Sequence, residues 1–356
     1  MKKIPFKPLI ILLFTILFIA GCQSGSPTIT PVLSTEVMTP LPSATAEFAR
    51  EAGITRIYLG EPMDDPRAEL SGLTWAEEWL ILLPQYPSRF EDHIYRIPKN
   101  EIVDFLKNPS ERSLIPQEVS FVSAGVEKKV SGYEGFESIT TIGQDAWLTI
   151  ESNAKNMTGY LVHGLWNEDY SKLTLSADSL SEIPSQEHIN NSSYESVLIF
   201  GKRIVTIYEA NGKNVNDQPQ AQLFDQSNNF IQSLNFPNIE YRVTDATQPD
   251  QNGLFWVINY FYPFDKEKLN PAEDEILVEY GQGKTHAQSE TVERLVAMQF
   301  SEQGIVLADL PPIQLELSAE NESRNWEGLV RLDETGFLLV TDLFPETLLV
   351  FVPKNY

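Results

Sequence analysis

The 356-residue chain contains one cysteine, Cys22, so no internal disulfide can form and stability has to come from core burial. Histidine is nearly as scarce. His93, His163, His188 and His286 are scattered, and with no Cys/His spacing between them a zinc centre is disfavoured. Basic side chains are in short supply too, 26 against 50 acidic ones, for a formal net charge of −24. Nucleic acid and bare anionic lipid would be repelled by such a surface, whereas metal cations and basic ligands would not. Familiar catalytic signatures are missing: there is no Gly-x-Ser-x-Gly elbow and no His-Glu-x-x-His. Gly283-Lys284-Thr285 ends like a phosphate loop, but Val278 stands where that loop needs its first glycine.

The one long apolar run, from Leu9 to Ile19, is shorter than the roughly 20 residues of a membrane span. It follows Lys2, Lys3 and Lys7 and ends in Ile19-Ala20-Gly21-Cys22, the layout of a secretion signal. The tetrapeptide resembles the lipobox of bacterial lipoproteins, which implies a signal peptide over 1–21, lipidation of Cys22 and a mature protein held at a membrane by that lipid. Export to the cell membrane or the outer membrane is expected. Gln23 lacks the aspartate that retains enterobacterial lipoproteins at the inner membrane. Residues 22–52 are rich in Ser, Thr and Pro and read as a disordered tether, leaving 53–356 as the folded domain.

Six times along that domain a short apolar segment, a turn and a second apolar segment occur in succession: 71–85, 137–151, 195–209, 245–259, 293–309 and 327–342. Turn formers such as Gly143-Gln144-Asp145, Gly201-Lys202 and Asn252-Gly253 mark each copy as a β-hairpin. Room remains between copies for a third and a fourth strand. The third-strand candidates include 93–98, 160–165, 221–225, 313–317 and 347–353, and the fourth-strand candidates 118–123, 172–177 and 230–236. The expectation is an all-β, six-bladed β-propeller, in which 55–59 completes the last blade and closes the ring. Lys99 to Lys107 is the one clear helix.

An acidic residue opens five of the six copies, and common propeller topology would gather these strand ends around one central pocket. Glu137 would face Glu151, and Glu195 would face Glu209, at the roughly 5 Å separation of directly opposed strand residues. Carboxylates that close repel unless a cation or a shared proton intervenes. Calcium accepts six to eight oxygens in flexible geometry, so Glu137, Glu151, Glu195, Glu209 and Glu327, supported by Asp309 and Asp342, are the candidate metal ligands. A bound ion would activate water for hydrolysis without a serine nucleophile. The same carboxylates can instead pair with Arg203, Arg242, Arg294, Arg324, Arg331 or Lys202 between blades. Both readings are open from sequence.

The segments Tyr133-Glu134-Gly135-Phe136-Glu137 and Trp326-Glu327-Gly328-Leu329, each followed by an apolar strand ending in an acid, resemble those of phytase-like (esterase-like) six-bladed propellers and, more distantly, the gluconolactonase and strictosidine synthase group. That resemblance implies an exported propeller with an acidic, calcium-dependent ester or phosphoester hydrolase site, in which Glu327 matches a metal-ligating glutamate. The asparagine and aspartate signatures of the gluconolactonase group are absent. The competing expectation is a non-catalytic propeller that binds a protein, glycan or small ligand at the cell surface. No catalytic residue is assigned, and a monomer is expected.

Overall fold

A computed structural model describes residues 48–154, 157–301, 303–319 and 322–354. The signal segment, Cys22 and most of the tether lie outside the described residues. Among the described residues no helix is long and apolar enough to cross a membrane.

Among the described residues the strands group into five antiparallel blades, with the outer edges of I and II joined by parallel pairing of 120–122 with 172–174 and those of III and IV by Asn235 with Gly304. Blade I consists of Leu70–Ala76, Trp79–Pro84, His93–Pro98 and Gln117–Val122. Blade II consists of Tyr133–Ile142, Asp145–Ser152 and Thr158–Trp166, with an outer edge split between Lys172–Leu175 and Ser181–Ile183. Blade III is Ser196–Phe200, Arg203–Ile207, Gln220–Phe224 and Phe230–Asn235. Blade IV is Arg242–Ala246, Leu254–Phe261 and Val292–Ser301, edged by Gly304–Leu307 and Ile313–Leu315. Blade V is Trp326–Leu332, Gly336–Thr341 and Leu349–Pro353, with Thr55–Ile57 pairing in antiparallel register against 349–351 as its outermost strand.

The first strands pack against one another in the order I, II, III, IV, V and back to I, which closes the ring as a β-propeller. Strand alternation explains how. Side chains of successive residues point to opposite faces, so an apolar strand buries one set against each neighbouring blade. Leu80 and Leu82 join the core between blades V and I, while Ile81 and Leu83 join the core between I and II. Leu338 and Val340 likewise face blade I, and Phe337 and Leu339 face blade IV. Five such clusters occur, one for each inter-blade seam.

The count is therefore five blades, not the six expected. A hairpin signature marks any antiparallel strand pair, and the copy at 293–309 is the third and outer strand of blade IV rather than the start of a new sheet: Val292–Ser301 pairs along its length with Leu254–Phe261. Residues 262–291 hold no strand; an insertion with the helices Lys266–Leu269 and Glu275–Tyr280 joins these two strands. The helix at Lys99–Lys107 is present as expected.

The ordered domain also begins earlier than residue 53. Glu51–Ala52 pairs in parallel with Gln314–Leu315 of blade IV, and the Glu51 carboxylate accepts hydrogen bonds from Thr285 N and Oγ1 and from His286 N and Nδ1. The chain entering the fold is thus strapped to blade IV before it completes blade V.

Candidate functional site

The opening residue of a repeat occupies a distinctive position. In blades I, II and V the register between first and second strands shifts, leaving Ser71, Glu137 and Glu327 without a cross-strand partner; in blade IV the shift falls at Thr244 and Asp245. A bulge of this kind adds a residue to one strand and re-aims its side chain. It also overturns the expected facing pairs. Glu151 lies opposite Gly135 rather than Glu137, and since Ser196 pairs with Ile207, Glu195 and Glu209 fall outside the ladder.

These side chains still converge electrostatically. Burial drives the Glu137 carboxyl well above the usual range, and Glu195 and Glu151 push it further. Glu151, 3 % exposed, is pushed up to about 8 by burial and by Glu195. Burial also raises Glu195 against the pull of Arg242 and Lys268, and raises Glu327 against Arg242. Asp342 is raised by burial, and Asn325 Nδ2 donates to its Oδ2 at 3.2 Å. Glu195 in turn adds to the rise of Glu327.

A guanidinium sits among them. Arg242, on the first strand of blade IV, binds Glu209 through Nε, Glu327 Oε1 through Nη2 at 3.3 Å and Asn325 Oδ1 through Nη1 at 3.2 Å. Burial opposes its charge, but Glu327 and Glu195 more than offset this and raise its pKa. Lys268 reaches the same group from the insertion and donates to Asn191 O at 3.0 Å; burial and Arg242 lower its pKa. The sequence marks Arg242 only as a partner for an ion pair and gives no sign of Lys268, which lies in a segment carrying no repeat signal.

One expected member, Asp309, and the acid that opens the fifth copy, Glu293, are elsewhere. Asp309 is exposed beyond the outer edge of blade IV. Glu293 is fully buried and committed to Arg324 and to Trp326 Nε1, at 2.8 and 2.7 Å, so it fastens blade IV to the start of blade V. The inter-blade ion-pair reading therefore holds for Glu293, whereas Arg294 pairs within blade IV, binding Asp274 of the insertion at 2.8 Å. Next to the carboxyl group in sequence, hydrogen bonds tie the first strands to one another across the axis. Asp245 of blade IV accepts from Ser138 Oγ of blade II at 3.1 Å and from Leu329 N of blade V at 2.7 Å, and Val197 N of blade III donates to the same Ser138 Oγ.

The residues do not fit the calcium centre expected of them. Among the described residues no three acidic, histidine or cysteine side chains are grouped to hold a metal ion, and the place between Glu209 and Glu327 belongs to Arg242. The resident positive charge is a side chain.

Above Arg242 a cavity of about 670 Å³ opens to solvent. Its polar wall includes Asn325, Thr291, Ser323 and Lys268. Tyr262 and Phe264 from the insertion and Phe344 from the second hairpin of blade V also line it, together with Asp265 and the exposed Glu322. Phe264 is 84 % exposed.

No family model matches the chain, and no curated protein matches it. Among solved structures it is similar to the soluble aldose sugar dehydrogenase of Escherichia coli in its apo form, at 10% identity and TM-score 0.43 over 84% of this chain and 98% of that one. It is also similar to a structure described as glucose dehydrogenase, at 10% identity and TM-score 0.42 over 85% and 99% of the two chains. A putative oxidoreductase (glucose dehydrogenase) of Thermus thermophilus gives 6% identity and TM-score 0.45 over 84% and 99%. Likeness at this level carries no argument about activity, and the propeller assignment rests on strand pairing and the five inter-blade cores.

Proposed function

We propose that this protein is a ligand-binding propeller, exported and held at a membrane through lipid on Cys22, whose axial mouth takes a small molecule. One observation carries the binding reading: the cavity of about 670 Å³ opens directly over Arg242 and Asn325, combining a polar floor with exposed aromatic side chains. Concave sites with an apolar lining and a few convergent polar groups are where small ligands bind. The test is a thermal-shift screen of small molecules against the wild type and Ser323→Trp, which fills the mouth. Compounds that raise the melting temperature of the first and not the second support the reading; a screen in which no compound separates them removes it.

A second reading, hydrolysis of an ester or phosphoester, is favoured by one feature. Glu151, held protonated up to about 8 beside Glu195, has the character of the acid in an acid–base pair. Turnover of aryl esters, lactones or phytate that disappears in Glu151→Gln would support it. Absence of product from all three leaves a binding protein.

A further inference from the structure

The five seams differ at their outer ends. Parallel pairing of 120–122 with 172–174 joins blades I and II there, and Asn235 with Gly304 joins III and IV. Between V and I the helix Lys99–Lys107 sends Ile102 and Phe105 into the core, and between IV and V the chain itself crosses, from Glu51–Ala52 on one blade to Thr55–Ile57 on the other. Among the described residues no strand pairing joins the outer edges of II and III. A groove of about 800 Å³ lies there.

Its walls carry amides where the same strand is elsewhere apolar. On the third strand of blade III, Ala221 and Leu223 join the core towards blade IV, whereas Gln220, Gln222 and Phe224 alternate on the face towards blade II. Gln222 and Phe224 lie opposite Ser233 and Phe230 of the outer strand, and Ser233 Oγ donates to Gln222 Oε1 at 2.9 Å. Gln186, just beyond the last strand of blade II, fastens the two walls. Its Oε1 accepts from Gln220 N at 2.8 Å and from Asn216 Nδ2 at 3.2 Å, and its Nε2 donates to Gln220 O at 2.6 Å. A groove braced in this way is formed before any ligand arrives. Phe230 is left 57 % exposed in it, with Phe224 edge-on beneath the ring at 5.9 Å.

The lining restricts what could occupy it. Glu182, Glu187 and Asp217 contribute carboxyls but no lysine, arginine or histidine lines the groove, so an anion would meet no counter-charge. Amides donate and accept, carboxylates accept, and an exposed ring offers a flat apolar face. A sugar matches all three, since its hydroxyls donate and accept and its C–H faces are apolar. We propose that this groove is a second binding site, for a neutral oligosaccharide, with Phe230 as the surface it stacks on and the exposed Asp217 and Gln218 as groups that bind its hydroxyls. The groove shares no lining residue with the axial mouth and does not depend on it.

The test is retention of the full chain, in detergent, on an array of immobilised neutral oligosaccharides, with uronic-acid oligosaccharides and tetralysine alongside. Neutral chains are expected to retain the wild type and uronic-acid chains to hold it about tenfold more weakly. Phe230→Ala and Asp217→Ala should each weaken retention about tenfold, and Phe230→Tyr should keep it. Ser323→Trp, which blocks the axial mouth alone, should leave it unchanged. Both altered side chains are exposed, so melting temperatures should match the wild type; Gln218→Ala replaces either variant that fails to fold. Absence of retention on every neutral oligosaccharide overturns the inference and leaves the mouth reading untouched. Stronger retention on tetralysine that falls in Asp217→Ala overturns it in favour of a basic peptide, and sugar binding lost in Ser323→Trp but kept in Phe230→Ala overturns it by moving the sugar to the mouth.

Discussion

Asp245 of blade IV accepts a hydrogen bond from Ser138 of blade II at 3.1 Å, across the axis from a blade that is not its neighbour. Its other oxygen receives Leu329 N of blade V at 2.7 Å. One carboxyl group thus ties three of five blades, and burial raises its pKa in spite of these bonds. In Asp245→Ala the Ser138 hydroxyl and the Leu329 amide lose their acceptor at the axis. Each buried unsatisfied group costs about 1–3 kcal/mol. The expected loss is about 2–4 kcal/mol in urea unfolding, with Asp245→Asn intermediate because its amide oxygen still accepts one of the two bonds. Equal stability of wild type and alanine variant would show that the knot does not hold the ring.

Arg242→Met should be more damaging than its size suggests. Removing the guanidinium leaves Glu209 and Glu327 buried without their cation, and breaking a buried pair from one side costs about 3–5 kcal/mol. Adding Glu209→Gln and Glu327→Gln to the same variant removes the stranded charges and should recover part of the loss. The check is a comparison of denaturation midpoints for the single and triple variants. A triple variant no more stable than the single one would contradict the pairing argument.

These two clusters show which parts of the site are legible in the sequence. The acid at the start of each repeat is visible because a bulge residue at an inner-strand end is a recurring position, and Glu137 and Glu327 occupy it. Pairing is not visible. A register shift of one residue is silent in an apolar pattern, so the spacing pairs Glu151 with Glu137 when it lies opposite Gly135. Blade number fails for a related reason: the third strand of blade IV is as apolar as a first strand, since Leu295 and Ala297 face one seam and Val296 and Met298 the other. Lys268 has no pattern to betray it, because the insertion that carries it follows the contour of the mouth rather than the period of the sheet.

The carboxyl group should make the protein most stable in mildly acidic solution. Glu151 titrates near 8 when folded, against a usual value of 4.5, so between those values the native chain holds a proton that the unfolded chain has released. Stability then falls as pH rises, fully present below about 4.5 and lost through about 8. Glu137, Glu195 and Glu327 are raised as well and act in the same direction. Glu51 opposes them at low pH: burial raises it, the hydrogen bonds from His286 and Thr285 more than offset that, and its stabilisation is lost on acidification below the ordinary carboxyl range. Urea midpoints measured from pH 5 to pH 8 should therefore decline, and Glu151→Gln should flatten the slope. A midpoint that rises steadily towards pH 8 would be inconsistent with protonated carboxyls at the axis.

Closure of the ring depends on how near blade I approaches its neighbours V and II, and two glycines set those distances. A Cβ on Gly328 would lie 2.5 Å from Val340 Cγ2 and 3.2 Å from the backbone carbon of Gly72, and one on Gly72 would lie 3.2 Å from the Ser138 Cα of blade II. Neither backbone can retreat without opening a seam that Leu73, Val330 and Val340 fill. Gly328→Ala is therefore expected to cost about 1–3 kcal/mol through overpacking, although alanine suits a strand better than glycine does. Gly53→Ala is the control, since its new methyl would meet Glu316 Oε2 at an ordinary 3.8 Å and should change stability by less than about 0.5 kcal/mol. Parallel urea titrations of the two variants decide the matter: similar midpoints would mean that the blades have slack at the axis and that the tight approach of their first strands does not govern closure.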